Sequence, residues 1–242
     1  MAQRQRIDQQ PGFVLHTHPY RETSLIVELF SRDHGRLPLL AKGARRPMSP
    51  MRGVLMAYQP LLVDWSGGGE VKTLVRAEWS GGQPLLSGRG LLCGYYVNEL
   101  LIKLLAREDP HAALFDDYAK LLRALPDARR PEPLLRAFEL NLLEQLGYGV
   151  PLTHEADSGD PVRAAVCYRY IIERGPTPLA DGDTHGDDIA ICGQSLLDMA
   201  AGRFEDARTL HESKALLRHL LGHQLGGQTL HARRMFKELQ TL

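Results

Sequence analysis

Short apolar runs separated by turn residues fill the first eighty positions of the chain. Such runs occupy 13–16, 24–30 and 36–41, and longer ones follow at 54–65 and 70–78. Runs rich in Val, Ile and Leu that are bounded by Gly, Asp and Pro are typical of β-strands. Five short strands in about 70 residues predict a small barrel. This size points to the OB fold, although an SH3-like barrel fits the spacing nearly as well.

The apolar period changes near residue 90 to three and four residues, which is the spacing of one helix face. Helices are predicted at 91–105, 113–125 and 131–146. The third is the best marked, because Pro131 and Pro133 lie at its start and Gly147 follows its end. Beyond it, the pattern predicts a strand at 165–172 and helices at 193–201, 210–221 and 231–239.

This change of pattern divides the chain in two. The sequence predicts an α+β protein, with a five-stranded OB-fold barrel over 1–82. A mainly helical domain over 83–242 follows it. The segment 150–190 is an irregular insertion in the second domain, rich in Gly, Pro, Asp and His.

The composition is that of an ordinary soluble globular protein, with 43% apolar and 24% charged residues. No apolar run approaches the roughly 20 residues that span a bilayer, and the first residues lack the apolar core of a signal peptide. We therefore expect a cytoplasmic protein without membrane contact. The three cysteines, Cys93, Cys167 and Cys192, are far apart and include no Cys-x-x-Cys pair, which argues against a disulfide framework.

Charge is distributed unevenly along a chain whose formal net charge is zero. Residues 1–88 carry 11 Lys and Arg against 7 Asp and Glu, and the remainder carries 18 against 22. The asymmetry is steepest over 32–52, where Asp33 is the only acid. A local field of this kind can attract a polyanion to a neutral molecule. The cations of this stretch are Arg32, Arg36, Lys42, Arg45, Arg46 and Arg52.

The segment 39–52, LLAKGARRPMSPMR, concentrates this charge where a predicted strand ends. Gly43 lets a backbone approach closely, and Arg45 and Arg46 offer planar forks that fit phosphate oxygens. The segment is therefore a candidate phosphate-binding loop. An ordinary solvated loop is the alternative, because short basic runs are commonly surface segments.

No catalytic or metal-binding pattern emerges. The chain has no phosphate-binding Gly-x-x-x-x-Gly-Lys, no nucleophile elbow and no dinucleotide fingerprint. His16 and His18 alternate as two strand ligands would, but no third ligand is near them in the sequence. We therefore predict a protein that is not an enzyme and carries no cofactor, zinc included; a cryptic metal hydrolase is the alternative that stoichiometric metal would reveal.

Several stretches together resemble RecO, a family of bacterial DNA repair proteins and recombination mediators. They are FVLHTHPYRETSLIVELFSRDHGRLPLLAKGARR at 13–46, GVLMAYQPLLVDWSGGGEVKTLVRAE at 53–78, YYVNELL at 95–101 and LLRAFELNLLEQLGYG at 134–149. A weaker match is LLGHQLGGQTLHARRMF at 220–236. The resemblance covers most of the chain and implies an N-terminal OB fold, a helical middle domain and a C-terminal portion packed on it. It also implies that the barrel over 1–82 binds DNA, and that the helical domain over 83–242 serves protein partners and further DNA contact.

What the family implies is a non-enzymatic role in the RecF pathway after DNA damage. Proteins of this kind bind single-stranded and double-stranded DNA, anneal complementary strands and bind the acidic C-terminal tail of single-stranded DNA-binding protein, SSB. With RecR they help RecA, an indirect partner, to load on SSB-coated DNA. We expect a monomer when the protein is alone. An OB-type RNA-binding or protein-scaffold module without annealing activity is the alternative.

The resemblance also implies site residues. Aromatic residues Tyr20, Tyr58 and Trp65 are candidates for stacking on bases, with burial in the barrel core as the alternative. The phosphate contacts would be the motif residues Lys42, Arg45 and Arg46, with Arg36, Arg52 and Lys72 beside them.

For the SSB tail, the resemblance points to Arg136 on the third helix, where a cation beside an apolar pit would receive a C-terminal Phe and its carboxylate. Leu135 and Leu101 would form the walls of that pit. The alternative is that Arg136 pairs with Glu139 or Glu132 on its own helix, and that the leucines belong to the core.

The chain departs from the family pattern in two places. Some members carry four cysteines as a zinc site after the Leu-Gly-Tyr segment, whereas this region offers His154, Cys167 and Cys192, as expected of a zinc-free branch. Ala232 stands where the terminal motif commonly has Ser, which puts the role of Arg233 in doubt.

Overall fold

The computed structural model describes residues 6–179, 189–232 and 234–235. The predicted terminal helix is helical at 231–232 and 234–235, and Arg233 and Lys237 lie outside the described residues. The first five strands are β1 Arg6–Tyr20, β2 Ser24–Ser31, β3 Gly35–Ala41, β4 Pro60–Ser66 and β5 Lys72–Trp79. Three helices follow: α1 Gly88–Leu104, α2 Ala112–Ala124 and α3 Glu132–Gln145. The remaining elements are β6 Cys167–Ile171, β7 Gly175–Pro178, β8 Ile189–Cys192, α4 Gly193–Ala200 and α5 Ala207–Gln224.

The five N-terminal strands form a closed barrel in the order β1-β2-β3-β5-β4, with β4 returning to pair with β1. All neighbours are antiparallel except β3 and β5, which pair in parallel through Leu39 with Lys72 and Leu40 with Thr73. This non-sequential order is the Greek-key arrangement of the OB fold. The predicted fold class is confirmed. Two predicted strands have different limits, because β1 runs to 15 residues and β4 begins at Pro60 rather than at 54.

Successive side chains of a strand point to opposite faces of the sheet, so every second side chain points into the barrel and fills it. Val27 and Leu29 from β2, Leu37 and Leu39 from β3, and Trp65 from β4 are all buried there. The opposite face of β2 is also covered, because Phe30 packs against rings of α2. Burial on both faces explains why the run SLIVELF is almost continuously apolar.

The first two helices pack on the outside of the barrel around an aromatic cluster. The Phe13 ring lies 5.3 Å from Phe115 and 5.1 Å from Tyr118, and Phe30 lies 5.4 Å from Phe115, centroid to centroid. Asn98 of α1 lies beside this cluster. Its amide nitrogen donates to the Leu15 carbonyl at 2.8 Å, and its amide oxygen accepts from the Tyr118 hydroxyl at 2.5 Å.

Asn98→Ala is expected to lower the free energy of unfolding by about 2 kcal/mol, because it leaves two buried polar groups without these bonds. Urea unfolding followed by circular dichroism measures the change. Tyr118→Phe is the matched control: it removes one hydroxyl, keeps the bond to Leu15, and should cost about half as much. Equal stabilities of Asn98→Ala and the wild type would show that this network does not hold α1 to the barrel.

The described chain forms two compact units. One runs through the barrel, α1 and α2 to Ala128 and includes the described residues from Leu230 onward; the other is Arg129–Thr229. The predicted boundary at residue 82 marks the end of the barrel, whereas the first compact unit continues through α2. The Glu99 carboxylate of α1 accepts hydrogen bonds from the backbone N–H groups of His231 and Ala232, both at 2.9 Å, and so binds the C-terminal segment.

The second unit contains a three-stranded antiparallel sheet in the order β7-β6-β8 and the helices α3, α4 and α5. The sequence predicts one of these strands. The other two are missed because each has four residues and β7 contains Pro176 and Pro178, so neither shows a strand period. Within the described ranges, no helix is long and apolar enough to cross a bilayer.

Candidate nucleic-acid interface

The segment 42–56, here called the basic loop, is built from successive turns. Gly43 has a φ of +68°, a backbone conformation that glycine adopts without strain. A continuous series of backbone bonds then orders the segment, so that its cations are carried by a defined backbone. Its N–H donors bond to carbonyls three residues earlier: Ala44 to Ala41, Arg46 to Gly43, Ser49 to Arg46, Arg52 to Ser49 and Val54 to Met51.

One side of the basic loop is apolar and packs on the barrel core. Ala44 is buried, and Met51, Val54 and Leu55 are partly buried against the same cluster. The cationic side is exposed, and it comprises Lys42, Arg45, Arg46 and Arg52. The apolar residues anchor the loop while the four cations remain accessible to solvent. Within the described residues, no carboxylate pairs with any of these four side chains.

The basic loop is also held by the turn between β1 and β2. Arg45 donates its backbone N–H to the Thr23 carbonyl at 2.8 Å and a guanidinium N–H to the Arg21 carbonyl at 3.4 Å. The Gly43 N–H donates to the Ser24 hydroxyl at 3.4 Å. These contacts join two loops that are some twenty residues apart in the sequence into one surface.

Two side chains beside the basic loop come from this part of the chain: Tyr20, the last residue of β1, and Arg21, the first residue of the turn. Tyr20 is 37% exposed, and the guanidinium carbon of Arg21 lies 5.3 Å from the centre of its ring. Arg21 is exposed, and it lies outside the cation-rich stretch 32–52 from which the site residues were predicted. The β2–β3 hairpin could have indicated that Arg21 lies near the basic loop. Pairing of Leu25 with Ala41 brings the start of β2 beside the end of β3.

Arg36, one of the six predicted phosphate contacts, binds within the protein. Its Nη1 donates to the Glu28 carboxylate at 2.9 Å, and its Nε and Nη2 donate to the Leu105 carbonyl at 3.2 and 3.1 Å. Its side chain is 13% exposed. Arg107 reaches the same Glu28 carboxylate at 3.2 Å. The guanidinium therefore fastens the segment after α1 to the barrel, which counts against a role in phosphate binding.

Lys72 has a similar position. Its ammonium group pairs with the Glu108 carboxylate and donates to the Gly69 carbonyl at 3.3 Å, and its side chain is 12% exposed. Glu108 lies 36 residues beyond Lys72 in the sequence, so this pair is visible only in the fold. We therefore exclude Arg36 and Lys72 from the proposed DNA contacts.

The three candidate aromatic residues fall into different environments. Trp65 is buried in the barrel core, as the core interpretation predicts, and cannot stack on a base. Tyr58 is partly buried, and this burial, with a smaller effect of Tyr95, raises the pKa of its phenol to about 12. Tyr20 alone of the three lies exposed beside the basic loop.

The residues predicted for the SSB tail are largely packed inside the protein. Arg136 is 10% exposed at its side chain and pairs with the buried Glu139 at 2.5 Å, as the alternative interpretation proposed. Its Nε is buried and has no hydrogen-bond partner among the described residues. Leu135 and Leu101 are buried, Leu101 completely, so neither offers an accessible wall.

No metal cluster is found in the part of the chain that the structure describes, where no three His, Cys, Asp or Glu side chains are grouped to hold an ion. The rings of His16 and His18 meet edge to face at 4.4 Å. His154 lies beside the Thr153 hydroxyl, with Oγ1 and Nδ1 3.0 Å apart.

Comparison with known proteins covers nearly the whole chain. A family model described as Recombination protein O N terminal matches residues 5–82, and one described as Recombination protein O C terminal matches 86–234. Proteins named DNA repair protein RecO are 64% identical in Aromatoleum aromaticum over 242 residues, and 63% identical in an Azoarcus species over 243, each with full coverage of both chains. One from Dechloromonas aromatica is 52% identical, again with full coverage. The chain therefore belongs to the RecO family.

Proposed function

We propose that this protein acts in DNA repair and recombination as a non-enzymatic mediator. In this proposal it binds single-stranded and double-stranded DNA, anneals complementary strands and, with RecR, helps RecA to load on SSB-coated single strands. The names of its relatives support the role in DNA repair. The observation that carries the proposal for DNA binding is the basic loop, whose four exposed cations are anchored to an OB barrel.

The chemistry of the basic loop suits a phosphate backbone. Arginine forks bond two phosphate oxygens at once, and such contacts position a nucleic acid without reading its sequence. The backbone bonds of the loop reduce the conformational entropy that binding would otherwise cost. Tyr20 supplies a ring on which an unpaired base can stack, beside Arg21 in a loop that OB folds use for oligonucleotides.

Annealing follows from the same features. Two complementary strands repel each other through their phosphates, and a cluster of cations lowers that repulsion where the strands meet. Contacts to phosphate leave the base edges free to pair. A surface that holds backbones through Lys42, Arg45, Arg46 and Arg52 can therefore favour pairing without any catalytic group.

For the SSB tail, we confine the proposed contact to Arg136. The Nε–H of Arg136 has no hydrogen-bond partner among the described residues. In this proposal it donates to the terminal carboxylate of the tail, and the tail displaces Glu139 from part of its ion pair with Arg136. Leu135 and Leu101 are set aside, because their burial explains both as core residues. RecR and RecA remain partners proposed from the family resemblance.

The double variant Arg45→Ala with Arg46→Ala tests the proposed function. We expect roughly a tenfold or greater loss of affinity for a single-stranded oligonucleotide at low salt, and slower annealing of complementary strands, because two phosphate contacts are lost. Fluorescence anisotropy measures binding, and a fluorescence-quenching assay measures annealing. Binding of an SSB-tail peptide should remain unchanged.

Arg76→Ala is the matched control, since Arg76 is an exposed cation of the same barrel that pairs with Glu78 rather than lying in the basic loop. It should leave DNA affinity within about twofold. Unchanged DNA binding in the double variant would refute the proposed interface. A preference for RNA over DNA, or absence of annealing by the wild type, would favour an RNA-binding or scaffold protein.

A further inference from the structure

Cys167 and Cys192 lie opposite each other on neighbouring antiparallel strands of the second unit. Cys167 begins β6, Cys192 ends β8, and the register of the two strands pairs them directly. Directly opposed residues of an antiparallel pair have side chains on the same face of the sheet, with neighbouring Cβ atoms. Two thiols that are 25 positions apart in the sequence are thus placed side by side.

The hydrogen bonds around the two cysteines define the kind of pair. The Gly193 N–H donates to the Val166 carbonyl at 2.8 Å, across the next rung of the ladder. Hydrogen-bonded and non-hydrogen-bonded pairs alternate along antiparallel strands, which makes the cysteines a non-hydrogen-bonded pair with Cα atoms about 4.5 Å apart. This distance lies within the roughly 4.4–6.8 Å that a disulfide spans.

The backbone groups of the cysteines agree with that assignment, because they bond away from each other. The Cys192 N–H donates to a Glu212 carboxylate oxygen at 3.0 Å, and the Cys167 carbonyl accepts from the Leu179 N–H at 3.0 Å. Neither bond crosses from β6 to β8. The bond between Gly193 and Val166 and the outward bonds of the two cysteines thus both indicate a non-hydrogen-bonded pair, the type with the shorter distance between Cα atoms.

Both thiols can be reached from solvent. Cys167 is exposed and Cys192 partly so, whereas Cys93 is buried. The Cys192 sulfur donates to the Ala164 carbonyl at 3.4 Å and accepts from the Arg208 guanidinium at 3.9 Å. Thiols are weak donors and acceptors, so these two contacts leave the sulfur able to turn toward Cys167.

We propose that Cys167 and Cys192 are a site of reversible disulfide formation, with a peroxide as the oxidant. The thiolate of one cysteine attacks the O–O bond of hydrogen peroxide, becomes a sulfenic acid and releases hydroxide, which takes up a proton to form water. The second thiolate then attacks the sulfenic sulfur and displaces hydroxide, which takes up a proton to form a second water. In total, two thiols lose two protons and two electrons, and one peroxide is reduced to two waters.

The disulfide would tie β6 to β8, the strand that continues directly into α4 at Gly193. Separation of these strands would then require reduction, which a thiol achieves by exchange through a mixed disulfide. Oxidation therefore resists local opening of this part of the second unit. The proposal is independent of the proposed role in DNA repair, because it involves none of the DNA-contacting residues.

The test treats the reduced full-length protein with hydrogen peroxide, followed by alkylation under denaturing conditions and mass spectrometry. We expect the number of alkylated thiols to fall from three per chain to one. The unalkylated chain should lose about 2 Da, the mass of two hydrogen atoms. Peptide mapping should join Cys167 to Cys192, and dithiothreitol should restore all three thiols. The oxidised chain should also unfold at a higher temperature than the reduced one.

Two variants sharpen this test. Cys167→Ser should abolish the internal crosslink and the rise in unfolding temperature, whereas Cys93→Ala should retain both. The proposal is overturned if all three thiols stay available for alkylation after peroxide treatment. It is equally overturned if oxidation adds oxygen to the separate cysteines, or joins two chains, in place of the internal bond.

Discussion

Arg36→Ala is expected to lower the free energy of unfolding by about 3 kcal/mol, because it leaves the Glu28 carboxylate buried without its nearest cation. The Leu105 carbonyl loses its two guanidinium donors at the same time. Arg107 keeps its contact with Glu28, which places the cost at the lower end of the range for a broken buried pair. Denaturant unfolding at neutral pH measures the effect.

Arg107→Ala is the matched control for this prediction. Its side chain binds the same carboxylate but is 49% exposed, so its removal should cost only about 1 kcal/mol. Under conditions in which both variants are folded, each should bind single-stranded DNA with the affinity of the wild type. An Arg36→Ala protein that keeps its stability and loses DNA affinity would restore Arg36 to the DNA interface.

Replacing Lys42, Arg45, Arg46 and Arg52 together by Gln is expected to weaken binding of single-stranded DNA roughly a hundredfold at 50 mM salt. Glutamine keeps a polar side chain and removes only the charge, so the loss reports the electrostatic contacts. All four residues are exposed and the loop is held by its apolar side, so the free energy of unfolding should change by less than about 1 kcal/mol.

The control for this variant is the replacement of four exposed arginines elsewhere by Gln. Arg6, Arg76, Arg174 and Arg203 are exposed, pair with nearby carboxylates and lie outside the basic loop. Removing the same number of charges there should leave DNA affinity within a few fold. The formal net charge of the chain is zero, so attraction of DNA depends on the local charge of the basic loop. Equal losses in the two variants would mean that net charge, and not the basic loop, governs binding.

The barrel strands and the helices could be predicted because apolar residues recur in them at regular spacings. Apolar residues at three and four positions mark α1, and Pro131 and Gly147 bound α3. The four-residue strands β7 and β8 carry no such period, and they form only through pairing with β6. Pairing of Cys167 with Cys192 was hidden for the same reason.

The candidate site was only partly predictable. The basic loop is continuous in the sequence, and all four of its cations are exposed in the structure. Whether a cation is free depends on what the fold brings to it: Arg36 and Lys72 meet residues 105–108, which follow α1. Arg21 joins the surface only through the β2–β3 hairpin. Residues far apart in the sequence can pair with a cation or add a cation to the site, and the sequence alone does not show which of them do so.

The salt dependence of DNA affinity tests the central claim most directly. Anisotropy of a labelled single-stranded oligonucleotide, measured between 50 and 300 mM salt, gives the slope of log affinity against log salt for the wild type and for the four-glutamine variant of the basic loop. Each lost phosphate contact should reduce the steepness by about 0.7, so the two slopes should differ by about 3. Parallel lines would contradict the assignment of the basic loop as the phosphate-binding surface.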